Sequence, residues 1–112
     1  MITIDDLKKL GVDTDEAVAR CVNDEGFYLS LVRQALEDDE FERLMAALDE
    51  KDLDEAFERA HALKGVYGNL SINSMYGPLC EITEELRARN DIDYSGYLSE
   101  MTKTMAELRA LL

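Results

Sequence analysis

A chain of 112 residues with 25 acidic and 12 basic side chains carries a formal net charge of −13. So acidic a surface repels nucleic acid and anionic lipid headgroups, which excludes roles resting on either, and it suits a partner with a basic docking surface. Hydrophobic residues make up 46% of the chain, an ordinary share for a folded protein, and the length sets a single domain, 1–112, with a small core.

The predicted elements are all helical. Residues 3–10 form a short helix stopped at Gly11, which is placed as a C′ residue. Asp13-Thr14-Asp15-Glu16 has the form of a capping box and opens a second helix that runs to about Val22. From Glu25 to Asp38, Tyr28, Leu31, Val32, Ala35 and Leu36 recur with helical period. The acidic run Glu37-Asp38-Asp39-Glu40 interrupts that period as a bend or a solvated face. Phe41, Leu44, Met45 and Leu48 resume it, so residues 25–49 are one bent helix or two.

Asp52-Leu53-Asp54-Glu55 caps the next helix, which ends near Leu70. A short loop follows at 71–74. A further helix starts between Asn73 and Gly77, since Pro78 is tolerated in a first turn and kinks an interior. It carries Leu79, Ile82 and Leu86 and ends near Asn90. Asp93 caps a last helix in which Tyr94, Leu98, Met101, Met105, Leu108 and Leu112 alternate by threes and fours, a coiled-coil-like seam. No segment has the period of a strand. Four long amphipathic helices joined by short loops predict an all-α, up-and-down antiparallel four-helix bundle, with the short N-terminal helices across one end.

The helix over 53–70 holds the only histidine in the chain. At 100° per residue, Leu53, Ala56, Ala60, Leu63, Tyr67 and Leu70 share a broad apolar stripe that faces a core. His61 lies about a third of a turn from the centre of that stripe, and Lys64, Gly65 and Gly68 lie within about 60° of it. Each glycine costs a helix interior about 1 kcal/mol relative to alanine, yet both sit beside the one imidazole. Missing side chains let another molecule's backbone come close. Gly65 points away from the stripe, so packing inside the domain explains it poorly; Gly68 could serve close helix–helix packing instead. An exposed imidazole with a fixed cation and cleared space suits attachment of a phosphoryl group to a ring nitrogen.

His61-Ala62-Leu63-Lys64-Gly65, followed by Gly68, resembles the signature of the histidine-containing phosphotransfer (HPt) domains of phosphorelays: a histidine, an apolar residue, then Lys-Gly with small residues after. Length and helix order extend the resemblance over nearly the whole chain. Ser71 departs from it, since many members carry a second loop glycine there. The resemblance implies a phosphocarrier. An aspartyl-phosphate on a response-regulator receiver domain, or a (hybrid) sensor histidine kinase, donates to Nε2 of His61, and the aspartate of a second receiver accepts. It also implies that the receiver supplies the acidic pocket and Mg²⁺, so this chain itself binds no cofactor. Lys64 then neutralises phosphoryl oxygens, while Gly65 and Gly68 admit the receiver's loops. Phe57, Glu58 and Ala62, within a turn of His61, and Met75 and Tyr76 at the following helix start are docking candidates. Phe57 lies between the core stripe and the histidine face. The competing reading is an adaptor that binds signalling domains through the same face without being phosphorylated.

Other motifs carry less. Asp91-Ile92-Asp93-Tyr94-Ser95-Gly96 has the alternate oxygens and sixth-position glycine that open an EF-hand loop, but its twelfth position is Thr102 where a bidentate glutamate is needed. It is read as a helix start. One histidine and no cysteine cluster give no metal site. The absence of a P-loop or Gly-rich nucleotide loop argues against autonomous kinase activity. Cys21 and Cys80, far apart and outside any Cys-x-x-Cys, are read as small buried hydrophobes. Met1 to Asp6 has no signal-peptide pattern, and no apolar run approaches the about 20 residues that span a bilayer. The expectation is a free-standing cytoplasmic monomer whose bundle buries its own seam.

Overall fold

The computed structural model describes all 112 residues, Met1–Leu112. Seven helices follow in order: α1 (Ile4–Lys9), α2 (Thr14–Arg20), α3 (Glu25–Glu37), α4 (Glu40–Asp49), α5 (Leu53–Asn69), α6 (Asn73–Arg87) and α7 (Ser95–Arg109). α5 packs between α4 and α6, α6 packs on α7, and α7 returns to α3. With α3 and α4 counted as one broken rod, this is the expected four-helix bundle, 41 Å long and 20–24 Å across. α1 and α2 are not appendages. Leu7 and Ala17 are buried in the same contiguous core as residues of the five longer helices.

Local chemistry sets most of the boundaries. Thr3, Asp13, Asp24 and Asp52 each accept a hydrogen bond from the backbone amide three residues on, at 3.0–3.2 Å. These are N-caps, each satisfying an otherwise unpaired donor of the first turn. At the other ends, the residue just past the C-cap is left-handed in five places: Gly11 after α1, Val22 after α2, Lys51 after α4, Ser71 after α5 and Arg89 after α6. After α5 the Ser71 amide bonds to the Gly68 carbonyl and the Ile72 amide to the Tyr67 carbonyl, a Schellman closure. The glycine absent at 71 is therefore absent from a position that favours one.

The helix ends settle one open alternative and depart from expectation twice. The run at 37–40 separates two helices rather than bending one: Asp38 is extended, with φ −73° and ψ 156°. Arg109 of α7 fills the break. It donates to the carbonyls of Leu36 at 3.0 Å and Asp38 at 3.3 Å, and grips Glu42 of α4 with two bonds of 2.9 and 3.0 Å. A cation is favoured there by the orphaned carbonyls at the end of α3. The α7 seam ends sooner than its spacing predicts, because Leu112 lies beyond the helix and is exposed. Asp93 accepts from the Ser95 amide at 2.9 Å, yet the N-cap residue is Tyr94, which makes no side-chain cap.

α6 takes the earlier of its two starts, at Asn73, so Pro78 falls inside the helix. The donor that proline lacks would have met the carbonyl of Ser74, an exposed residue that water can reach. Both cysteines are free, and Cys80 is only half-buried, against the expectation of two buried thiols. No helix is long and apolar enough to cross a membrane.

Candidate functional site

α5 carries the site because its two faces differ. Ala56, Ala60, Leu63 and Tyr67 are buried along one stripe, with Leu70 beyond the helix end, while Glu58, His61, Ala62 and Gly65 stand in solvent. His61 is midway along the helix and stacks on Phe57, one turn earlier, with ring centroids 5.6 Å apart and planes 15° from parallel. Stacking engages ring faces and leaves both imidazole nitrogens, at the ring edge, open to a reacting group. Lys64 lies one turn on, half-buried.

The two glycines differ in what surrounds them. A Cβ built on Gly65 meets nothing within 4 Å, whereas one on Gly68 would stand 2.8 Å from Cε1 of Tyr76. The surface beside Gly65 is open. That beside Gly68 is occupied by a ring of the same chain, so no bare backbone is open there. Tyr76 is partly exposed, and the neighbouring Cys80 thiol holds its hydroxyl above its ordinary pKa.

Met75 is a correction. It is 0% exposed in the core and has no surface to offer a partner. Its place was legible, since Met75 stands four residues before Leu79 and extends the stripe of Leu79, Ile82 and Leu86 back by one turn.

Two cations beside Phe57 escaped the sequence reading. Arg87 and Arg89, at and just past the C-terminal end of α6, bring their guanidinium carbons 5.2 and 4.9 Å from the centre of the Phe57 ring. Arg89 is held by a 2.6 Å bond to Asp54 in the first turn of α5 and by a 2.6 Å bond to the Leu86 carbonyl. No periodicity signals such a pair, because its position depends on how far α6 runs along α5.

The far end of the same face is closed by α2. Arg20 donates to the carbonyls of Gly68 and Asn69, each at 3.2 Å, and to the hydroxyl of Ser71. It also pairs with Glu16 at 2.9 Å. Tyr28 donates to the Leu70 carbonyl at 2.8 Å, and burial pushes this phenol up to about 12. The last carbonyls of α5 are thus met by side chains of α2 and α3, which ties the end of the histidine helix to the N-terminal segment. Lys64 and Gly65, one turn on from His61, line one shallow polar recess with Gly68, Tyr76 and Arg20.

A helical bundle that presents one imidazole on its central helix, with a lysine one turn on and open backbone beside it, defines a class of small all-α domain. A family model, the Hpt domain, matches residues 28–112. The chain belongs to that family, the histidine phosphotransfer domains of phosphorelays and two-component signalling, which act with receiver domains and kinases. No curated protein and no solved structure matches the chain significantly.

Proposed function

We propose that this chain carries a phosphoryl group on Nε2 of His61 between the aspartates of receiver domains, or from a hybrid sensor kinase to a receiver. The observation that carries this reading is the arrangement on one face of α5: an exposed imidazole, a half-buried lysine one turn on, and a glycine with nothing within 4 Å of its missing side chain. The lone pair of Nε2 forms the N–P bond as the P–O bond to the donor aspartate breaks. The carboxylate leaves with that electron pair, and Nδ1 keeps its proton. Transfer to a second receiver reverses these events. Lys64 offsets charge on the phosphoryl oxygens, and the open backbone at Gly65 lets the receiver's loops reach an in-line geometry. Mg²⁺ belongs to the receiver.

His61→Gln separates this reading from an adaptor. The variant is expected to fold and to bind a receiver with wild-type affinity while accepting no phosphoryl group, so that signalling output is lost. Output that survives the substitution would establish an adaptor that needs only the surface.

A further inference from the structure

We propose that Phe57 is a positioning residue for the reaction at His61: its ring sets the plane of the imidazole, and Arg87 and Arg89 hold that ring in place. The inference rests on His61 being the phosphoryl acceptor. An exposed histidine on a helix has two free side-chain torsions. In-line attack needs the nitrogen lone pair, which lies in the ring plane, to point along the bond being broken, and small misorientations are costly in rate. A side chain on a helix leans towards the preceding turn, so His61 leans over Phe57. The two rings meet nearly parallel, 15° apart with centroids at 5.6 Å. A hydrogen bond could also fix the imidazole, but it would occupy a nitrogen. A stack fixes the plane and occupies neither.

Phe57 is held in its turn. It is half-buried at the margin of the core. Both guanidinium groups lie about 5 Å from its centroid, within the range of cation–π attraction. Their own positions are fixed from two directions. Arg89 follows the end of α6 in the left-handed conformation, φ 56°, and bonds to Asp54 at 2.6 Å; Arg87 pairs with Glu84 at 3.5 Å. Asp54 stands one residue into α5 and Phe57 three residues further on, so α5 supplies the anion, the platform and the nucleophile in succession while α6 supplies the clamp. The arrangement reassigns Phe57, since a residue covered by two arginines on its own chain and one imidazole has little ring surface left for a partner.

The test uses Phe57→Leu, which keeps apolar bulk without a flat ring, and Phe57→Tyr, which keeps the ring. Each is phosphorylated in parallel by phosphoramidate, a donor too small to need docking, and by a phosphorylated receiver domain, and the affinity of each for the unphosphorylated receiver is measured. The ring-proton chemical shifts of His61 are read by NMR. Phe57→Leu is expected to slow the receiver reaction about five- to tenfold at unchanged receiver affinity, to leave the phosphoramidate reaction near wild type because a free donor meets the ring in any plane, and to move the His61 ring protons towards unstacked values. Phe57→Tyr is expected to restore both rate and shifts. Slowing of the receiver reaction matched by an equal loss of receiver affinity would make Phe57 a docking residue and overturn the proposal. Wild-type rates in Phe57→Leu with both donors would overturn it while leaving His61 as acceptor. A wild-type protein that neither donor phosphorylates would overturn both.

Discussion

The ring of Tyr76 occupies the space that a side chain at position 68 would fill, with Cε1 2.8 Å and Cδ1 3.0 Å from where a Cβ would stand. Gly68 is therefore accounted for inside the domain, by the close approach of α6 to α5. Gly65, three residues earlier on the same helix, has no such neighbour, and nothing in the fold requires it. Gly65→Ala is expected to stabilise the protein by about 1 kcal/mol, raising the melting temperature by about 4 °C. Gly68→Ala is expected to gain less or to lose, because Tyr76 must move, and Gly68→Ala with Tyr76→Ala should recover the gain. A residue retained at a cost in stability is what a transfer surface would leave behind. A bulkier Gly65→Gln should accordingly slow phosphoryl transfer more than it alters melting.

Arg20 and Ser71 stand in for the second loop glycine. Ser71 has φ 57° and is buried, and its hydroxyl accepts from Arg20 and donates to Glu16 at 3.4 Å. Removing the guanidinium by Arg20→Ala is expected to cost about 1–2 kcal/mol, since four acceptors, Glu16 among them, lose their donor. In a Ser71→Gly background the same change should cost less, because one acceptor is already gone and the turn is relaxed. Urea unfolding of the four proteins in this cycle checks it. Additive losses would show that the two residues act independently.

Much of this could be read without coordinates. The stripe of Ala56, Ala60, Leu63, Tyr67 and Leu70 follows from a 3.6-residue period, and four of the N-caps follow from a Thr or Asp placed before a helix. The acidic run at 37–40 announced an interruption. Whether it was a bend or a break was decided by Arg109, 67 residues beyond Glu42 in the chain. Phe57 beside His61 is a neighbour that i, i+4 spacing gives. Its contact with Arg87 and Arg89 is not, because the register of one helix along another is set by packing across the whole interface.

Val22 is the least comfortable residue of the backbone. It is β-branched, 85% exposed and left-handed, with φ 56°. Such residues rarely adopt that conformation, which costs an L side chain about 1–2 kcal/mol. Val22→Gly is expected to raise stability by about 1 kcal/mol, with no effect on phosphoryl transfer. A lowered melting temperature would mean that Val22 makes a stabilising contact despite its exposure.

The grip of Arg109 on Glu42 has a pH signature. The hydrogen bond holds the Glu42 carboxyl below its ordinary value of 4.5. The unfolded state therefore binds more protons than the folded state as pH falls through that range. The contribution to stability is present above about pH 4.5 and is lost as pH falls through the lower folded pKa. Glu42→Gln is expected to melt below wild type at about pH 7 and to converge with it as pH falls below the lowered folded pKa. A gap that persists in acid would place the benefit in packing rather than charge.

The central claim is that His61 is phosphorylated, and intact mass spectrometry tests it most directly. The protein is mixed with each phosphorylated receiver domain of its host in Mg²⁺, quenched under alkaline conditions that preserve phosphohistidine, and weighed over time. One phosphoryl group should appear transiently on the wild type and never on His61→Gln, while the donor loses its own. Receivers that bind the chain yet leave its mass unchanged throughout would contradict it.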